Sequence, residues 1–289
     1  MIQYENMVIT LIIPTLNAGG CIGKLLSELR EQDTKPAEII IIDSSSEDNT
    51  VRLAEGLGAK TIIIPRESFN HGKTRNLAAQ EAKGDVISFM TQDALPFDNA
   101  FLRVLTAPLG RPDIAATFGR QIPRSDAPLP EVFARSFNYP DVPSVKGIDD
   151  TGRYGIKTFF FSNVCSAIKR ELFFRAGMFP ENIRANEDML LAAKFMIDGY
   201  KVSYVPEARV IHSHHFSLSN QFRRYYNIAS SLRHNSWILE YARPEGEGIR
   251  FMTEQARFLL RHRGYRWIPY VLLESLTKYA GYRMGLLTG

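Results

Sequence analysis

The sequence predicts an α/β fold with a mostly parallel sheet, and three observations carry that expectation. Four short apolar runs, at residues 8–13, 39–42, 61–64 and 86–90, are spaced by helix-length amphipathic stretches, the alternation expected of βαβ units. Each run ends in a loop-forming segment: Pro14-Thr15-Leu16-Asn17, Asp43-Ser44-Ser45, Pro65-Arg66-Glu67 and Thr91-Gln92-Asp93. With 289 residues and 45% of them hydrophobic, the chain can bury a sizeable core, as one large domain or as a domain with an appendage.

Along the chain, Ile22, Leu25, Leu26 and Leu29 recur at helical spacing behind Gly19-Gly20 and predict a helix over 21–31. The polar stretch 44–50 is rich in helix-capping residues, and a further helix is expected over 73–83. Proline and glycine cluster from 108 to 143, which reads as a long irregular connection around one strand at 114–118. Regular structure returns at 159–161, then as helices over 169–176 and 188–198 and a strand over 202–205. From Ser219 the pattern is mostly helical.

Composition excludes several classes. Cys21 and Cys165 are the only cysteines, so neither a disulfide framework nor a cysteine zinc site is expected, and a reducing, cytoplasmic setting fits best. No positively charged leader and no spanning apolar stretch is visible. Basic charge concentrates in residues 219–289, with eleven Arg or Lys against five Asp or Glu. Such a bias suits an anionic surface or a solvated helical face.

In an open α/β sheet, ligands bind where the loops leave the carboxyl ends of the strands. Asp43 and Asp93 both emerge there, and an unpaired buried carboxylate is costly, so a ligand role competes with plain helix capping. No G-x-G-x-x-G follows a strand, which disfavours a dinucleotide fold of the dehydrogenase type. Gly72-Lys73-Thr74 matches only the end of a nucleotide-hydrolase phosphate loop, because Glu67 stands where its first glycine belongs. His71, Lys73 and Arg75 nevertheless surround a helix start, a place suited to phosphate oxygens.

Taken in order, "IIPTLN", "IIIIDSSSEDNT", "FNHGKTRNLAA", "TQDA" and "NEDMLLAAKFMIDGYKVSYVPEARVIHSH" resemble family 2 glycosyltransferases of the GT-A fold. The resemblance spans roughly residues 8–216, and "FNHGKTRN" looks most like bacterial rhamnosyltransferases that use dTDP-L-rhamnose. It implies a Rossmann-like GT-A domain over 1–218, with a nucleotide-binding half at about 1–100 and an acceptor-binding half at about 101–218. A helical, basic region at 219–289 would follow it.

The resemblance also implies roles. Asp43 matches the base-binding aspartate, and a carboxylate is the acceptor that an imide N–H of thymine or uracil requires. Pro14, Thr15, Asn17 and Ser45 fall in the loops around the nucleoside, and Gln92 beside them is a candidate for ribose or sugar contacts. Arg75, with Lys73 and His71, falls where the family contacts the diphosphate or donor sugar.

The family's Asp-x-Asp motif is altered here, with Thr91 at its first position and Asp93 at its second. A single carboxylate can still hold Mg²⁺ or Mn²⁺ when diphosphate and water complete the shell. His212 is the first choice for a second metal ligand and His214 the alternative. Of the acidic pair Glu187-Asp188, the aspartate matches the base of an inverting transferase, with Glu187 orienting it or touching acceptor.

The implied partners are a nucleotide sugar and a glycan or lipid-linked acceptor in cell-envelope polysaccharide synthesis. A homodimer, or peripheral membrane contact through 219–289, is also open. Nucleic acid is not expected, because Asp43, Asp93, Glu187 and Asp188 would repel its phosphates. A sugar-phosphate nucleotidyltransferase is the rival chemistry, but "PTLNAGG" is a poor glycine-rich phosphate loop.

Overall fold

The computed structural model describes residues 7–213, 217–242 and 246–289. Its strands are β1 Ile9–Thr15, β2 Glu38–Asp43, β3 Lys60–Ile63, β4 Val86–Met90, β5 Leu95–Pro96, β6 Ile114–Ile122, β7 Ser144–Lys146, β8 Cys165–Lys169 and β9 Lys201–Ile211. They form one sheet in the order β3-β2-β1-β4-β8-β6-β9-β5, with β7 also paired to β9. The β3 to β4 half is parallel. Beyond it, β8 runs antiparallel to both β4 and β6, and β6 and β9 are parallel. The fold is therefore α/β with a mixed, mostly parallel sheet, as expected.

Side chains alternate across a strand, so each strand feeds two cores. Leu11, Ile13 and Ile41 face the helix Ile22–Arg30, whose Leu25, Leu26 and Leu29 are buried against them. Ile12, Ile40, Ile42 and Phe89 face the other way, into a second core that also takes in Ala78 and Ala79 of the helix His71–Gln80 and Leu190 of the helix Glu187–Ile197. That is why these runs are apolar at nearly every position rather than at every second one.

Two features were not anticipated. The 108–143 segment is less irregular than its prolines suggest, because Leu129–Asn138 is a helix with Pro130 in its first turn, where a missing N–H costs nothing. Residues 155–159 form a 3-10 helix, and the strand that follows is β8. Its short sequence, "CSAIK", lacks strict alternation because it is buried on both faces.

The C-terminal helices Leu218–His234, Glu247–Arg261 and Ile268–Thr288 pack onto this body. Leu232, Ile238 and Ala242 join the same core cluster as Leu190 and Phe195. The first and third helices lie side by side with glycine at the seam. A Cβ at Gly281 would come within 2.4 Å of the Phe222 carbonyl oxygen, and one at Gly285 within 2.3 Å of that of Tyr226. Only glycine lets the two backbones approach this closely.

Candidate active site

Asp93 lies in the turn between β4 and β5. Leu95 and Pro96 of β5 pair antiparallel with Ile211 and Val210 at the end of β9, and this pairing folds the turn back over the residue that follows β9. That residue is His212, and its Nε2 stands 3.4 Å from Asp93 Oδ2. The imidazole is buried at 3% exposure, whereas the Asp93 side chain keeps 36%. The expected pairing of Asp93 with His212 is thus found. His214 lies outside the described residues.

The tautomer of His212 follows from a residue that sequence reasoning missed. Gln121 Oε1 is 2.9 Å from His212 Nδ1 and also accepts from Arg135 Nη1. A guanidinium only donates, so the atom facing it is the amide oxygen, and Nδ1 must carry the proton. In the neutral imidazole the Nε2 lone pair is then directed toward Asp93. Gln121 is itself fixed, since its Nε2 donates to Tyr139 Oη at 2.6 Å and to Ser162 Oγ at 3.0 Å. A carboxylate oxygen beside an imidazole nitrogen whose far N–H is held by an acceptor suits a divalent cation. Among the described residues no group of three or more His, Cys, Asp or Glu could hold a metal, so within them the pair leaves positions for substrate or water.

Glu187 and Asp188 open the helix Glu187–Ile197, preceded by Asn186 in a left-handed conformation (φ 66°). Asp188 Oδ1 accepts from the Met189 N–H at 2.8 Å and Oδ2 from the Asn163 N–H at 3.4 Å. By surface area Asp188 is only half-buried, yet its carboxylate is enclosed by surrounding protein. Desolvation, followed by the charge of neighbouring Glu187, pushes its pKa up to about 7, the range a general base needs. Glu187 pairs with Arg75 at 3.3 Å, both side chains almost wholly enclosed at 9% and 5% exposure.

That pair changes the picture of the 69–76 motif. Asn70 caps its helix by accepting from the Gly72 and Lys73 N–H groups, so the helix start is satisfied from within the chain. The motif docks on the segment leading to Glu187. Asn70 Nδ2 donates to the Ile183 carbonyl at 2.6 Å, and Asn76 Nδ2 donates to the Phe179 carbonyl at 2.8 Å. A Cβ at Gly72 would lie 2.2 Å from the Pro180 oxygen, so its glycine accommodates Pro180. His71 and Lys73 are exposed. Arg75 also donates to the His71 carbonyl at 2.9 Å, while its buried Nε meets no acceptor among the described residues.

The loops after β1 and β2 interlock. Asp43 is fully buried and accepts from Thr15 Oγ1 at 2.7 Å, Ser46 Oγ at 2.6 Å and the Ser46 N–H at 2.7 Å. Asn17 and Ser45 both have positive φ, 49° and 56°, a conformation few residues hold without surrounding support. Asn17 Oδ1 accepts from the Glu47 N–H, and Ser45 Oγ donates to the Ile64 carbonyl. Pro14, at the end of β1, pairs with Ile42 of β2. Gln92 spends its amide on Leu16, accepting from its N–H at 2.8 Å and donating to its carbonyl at 3.2 Å. Beside these loops lies an open groove of about 570 Å³ lined by Ser45, Ile63, Pro65 and Arg66 among others.

One short segment joins these parts. Ser162 Oγ receives Gln121, the Asn163 N–H donates to Asp188, and the Val164 carbonyl accepts from the Thr91 N–H at 3.3 Å. Because β8 is antiparallel, its start lies at the same sheet edge as the ends of β4 and β6. The segment can therefore touch the metal-suited pair and the acidic helix together. No sequence signal marks "FSNVC" as such a junction. Arg135 was also missed; it sits on the helix hidden in the proline-rich connection, close enough to Asp93 to interact with its charge.

Comparison with known proteins follows this geometry. The family model for glycosyl transferase family 2 matches residues 10–175. The O-antigen chain rhamnosyltransferase RfbN of Salmonella typhimurium is 42% identical, over 96% of this chain and 90% of its own. WbaN of Salmonella anatum, which carries the same description, is 38% identical over 96% and 88%. Among solved structures, mannosyltransferase PcManGT from Pyrobaculum calidifontis, in complex with GDP-Man and Mn²⁺, superposes with a TM-score of 0.65. It is 19% identical and covers 99% of this chain and 88% of its own. At that identity the likeness establishes the GT-A type of fold alone.

Proposed function

The chain belongs to glycosyl transferase family 2, and on that premise we propose that it transfers L-rhamnose from dTDP-L-rhamnose to a hydroxyl of a glycan or lipid-linked acceptor, with inversion, during O-antigen assembly. The observation that carries this reading is the convergence of Asp93, His212 and Asp188 around residues 162–164. The sugar is carried by the two relatives described as rhamnosyltransferases over nearly the whole chain.

In this reading Asp93 and His212 hold a divalent cation, Mg²⁺ or Mn²⁺. When bound, that cation would supply positive charge to offset the diphosphate charge that builds as the glycosidic bond breaks. Arg135, facing the same centre, adds positive charge there. Asp188 accepts the proton of the acceptor hydroxyl as its oxygen attacks the anomeric carbon, and the diphosphate departs from the opposite face. Glu187 keeps the Asp188 pKa high and is neutralised by Arg75. Asp43 receives the imide N–H of the base. Among the described residues its Oδ1 accepts one hydrogen bond, from the Ser46 N–H, and a carboxylate oxygen has a second lone pair that the base would use. The groove beside Ser45 and Ile63 is where the base would lie.

A thermal-shift panel of dTDP-, UDP- and GDP-sugars, with and without Mn²⁺, tests the proposal. A ligand at about 100 times its Kd stabilises by about 2.7 kcal/mol. The expected result is a shift specific to dTDP-L-rhamnose and enlarged by Mn²⁺, followed by rhamnosyl transfer to acceptor. A shift specific to another nucleotide sugar would replace the donor, and none with any of them would remove the activity.

A further inference from the structure

The last helix, Ile268–Thr288, is amphipathic the wrong way round for a helix that merely packs on its own protein. Two of its three charged residues, Glu274 and Lys278, point inward, with Glu274 accepting from Gln221 at 2.8 Å and pairing with Lys278 at 3.2 Å, and only Arg283 is exposed. Lys278 lies over the Phe251 ring at 5.3 Å. Its outer face carries Leu272, Leu273, Leu276, Tyr279, Met284 and Leu287, between 47% and 69% exposed. At 1.5 Å per residue the stripe is about 22 Å long, interrupted by the exposed Arg283, and too long for scattered surface leucines.

Charge indicates what covers it. From residue 255 to the end the one acidic residue is the enclosed Glu274. Arg261, Arg263, Arg266 and Arg283 are all exposed, and Tyr265 and Trp267 stand where the helix begins. A second copy of this chain would bring the same positive charge against itself. An anionic bilayer offers apolar depth to the leucines, headgroup phosphates to the arginines and an interface to the aromatic rings. No helix of the described residues is long and apolar enough to cross a membrane. We infer that this helix lies along an anionic lipid surface, with Leu272, Leu276 and Tyr279 inserted and Arg263, Arg266 and Arg283 at the headgroups. The inference goes beyond the sugar-transfer reading and its test needs no donor, so the two can fail separately.

Co-sedimentation of the full chain with vesicles tests it. The chain should bind mixed phosphatidylcholine–phosphatidylglycerol vesicles and leave phosphatidylcholine vesicles largely unbound, with binding weakened by about 0.5 M salt. Leu272→Glu with Leu276→Glu should weaken binding more than tenfold. Arg263→Gln with Arg266→Gln should weaken it on the order of twentyfold, each arginine contributing about fivefold. Thermal melts of both variants should match the parent, because all four positions are exposed. Absence of binding to the anionic vesicles, or binding indifferent to both pairs, overturns the inference. A parent dimer in light scattering that the Leu→Glu pair turns into monomer also overturns it, in favour of a second copy.

Discussion

His212 Nε2 and Asp93 Oδ2 stand 3.4 Å apart because the two-residue strand β5 reverses the chain after Asp93 and pairs with the last residues of β9. Two groups from distant parts of the sequence thereby become one donor pair. Asp93→Ala and His212→Ala should each abolish tight Mn²⁺ binding, read by titration calorimetry or by the paramagnetic signal of free Mn²⁺. Both chains should still fold. Unchanged affinity in both would remove the metal assignment.

Gln121 should matter to the metal without touching it. Replacing it by Leu deletes the acceptor for the His212 Nδ1–H, and losses of such outer partners cost about 10–100-fold in metal affinity. Gln121→Glu keeps an acceptor between His212 and Arg135 and should stay much nearer the parent. Equal losses in the two variants would indicate a packing role only.

As the proposed base, Asp188 should set the pH dependence of transfer. A base whose pKa is raised to about 7 is protonated and idle below that pH, so kcat/KM should rise with pH through about 7. Glu187→Gln removes the like charge and should move this limb to lower pH, while Asp188→Asn should cost about 10²–10⁴-fold. Stability runs the other way. The folded carboxyl holds its proton more tightly than the unfolded one, so this group's contribution falls as pH rises from the ordinary carboxylate range to about 7.

Arg75→Met should be one of the more damaging single changes away from the metal pair. It leaves Glu187 buried without its partner, a loss of about 3–5 kcal/mol for a broken buried pair, measurable by urea unfolding. It should also raise the Asp188 pKa further, since Arg75 acts to lower it. A variant as stable as the parent would mean that Glu187 has another neutralising partner.

The sheet edge was legible because strand ends in a parallel sheet announce themselves: apolar runs stop at Asp43 and at Thr91-Gln92-Asp93. Asp188 and His212 were legible only through resemblance to a family, and no periodicity separates a base from a helix-capping acid. Gln121 was invisible because a lone glutamine on a strand has no pattern; its role depends on β6 lying beside β9. Arg75 was found as a residue but read toward phosphate, whereas the fold aims it at Glu187. Gln92, expected to meet sugar, instead clamps Leu16. A cation or an amide in a sequence declares its chemistry, and only tertiary contact declares its partner.

Asn186, immediately before the acidic pair, donates from its side chain to the Ile228 carbonyl of the helix Leu218–His234 at 3.1 Å. That helix is in turn seated on Gly281 and Gly285 of the last one. In terms of recombination, the region after β9 is not an exchangeable cassette. A chimera that took its C-terminal quarter from a sibling enzyme would have to inherit, in register, the backbone position that steadies the left-handed Asn186 and the small residues that let that backbone sit there. The loops at the β1 to β4 end, proposed to bind the nucleotide, could be shuffled without touching this seam. The acidic pair proposed to carry the base and the tail, by contrast, descend together or not at all.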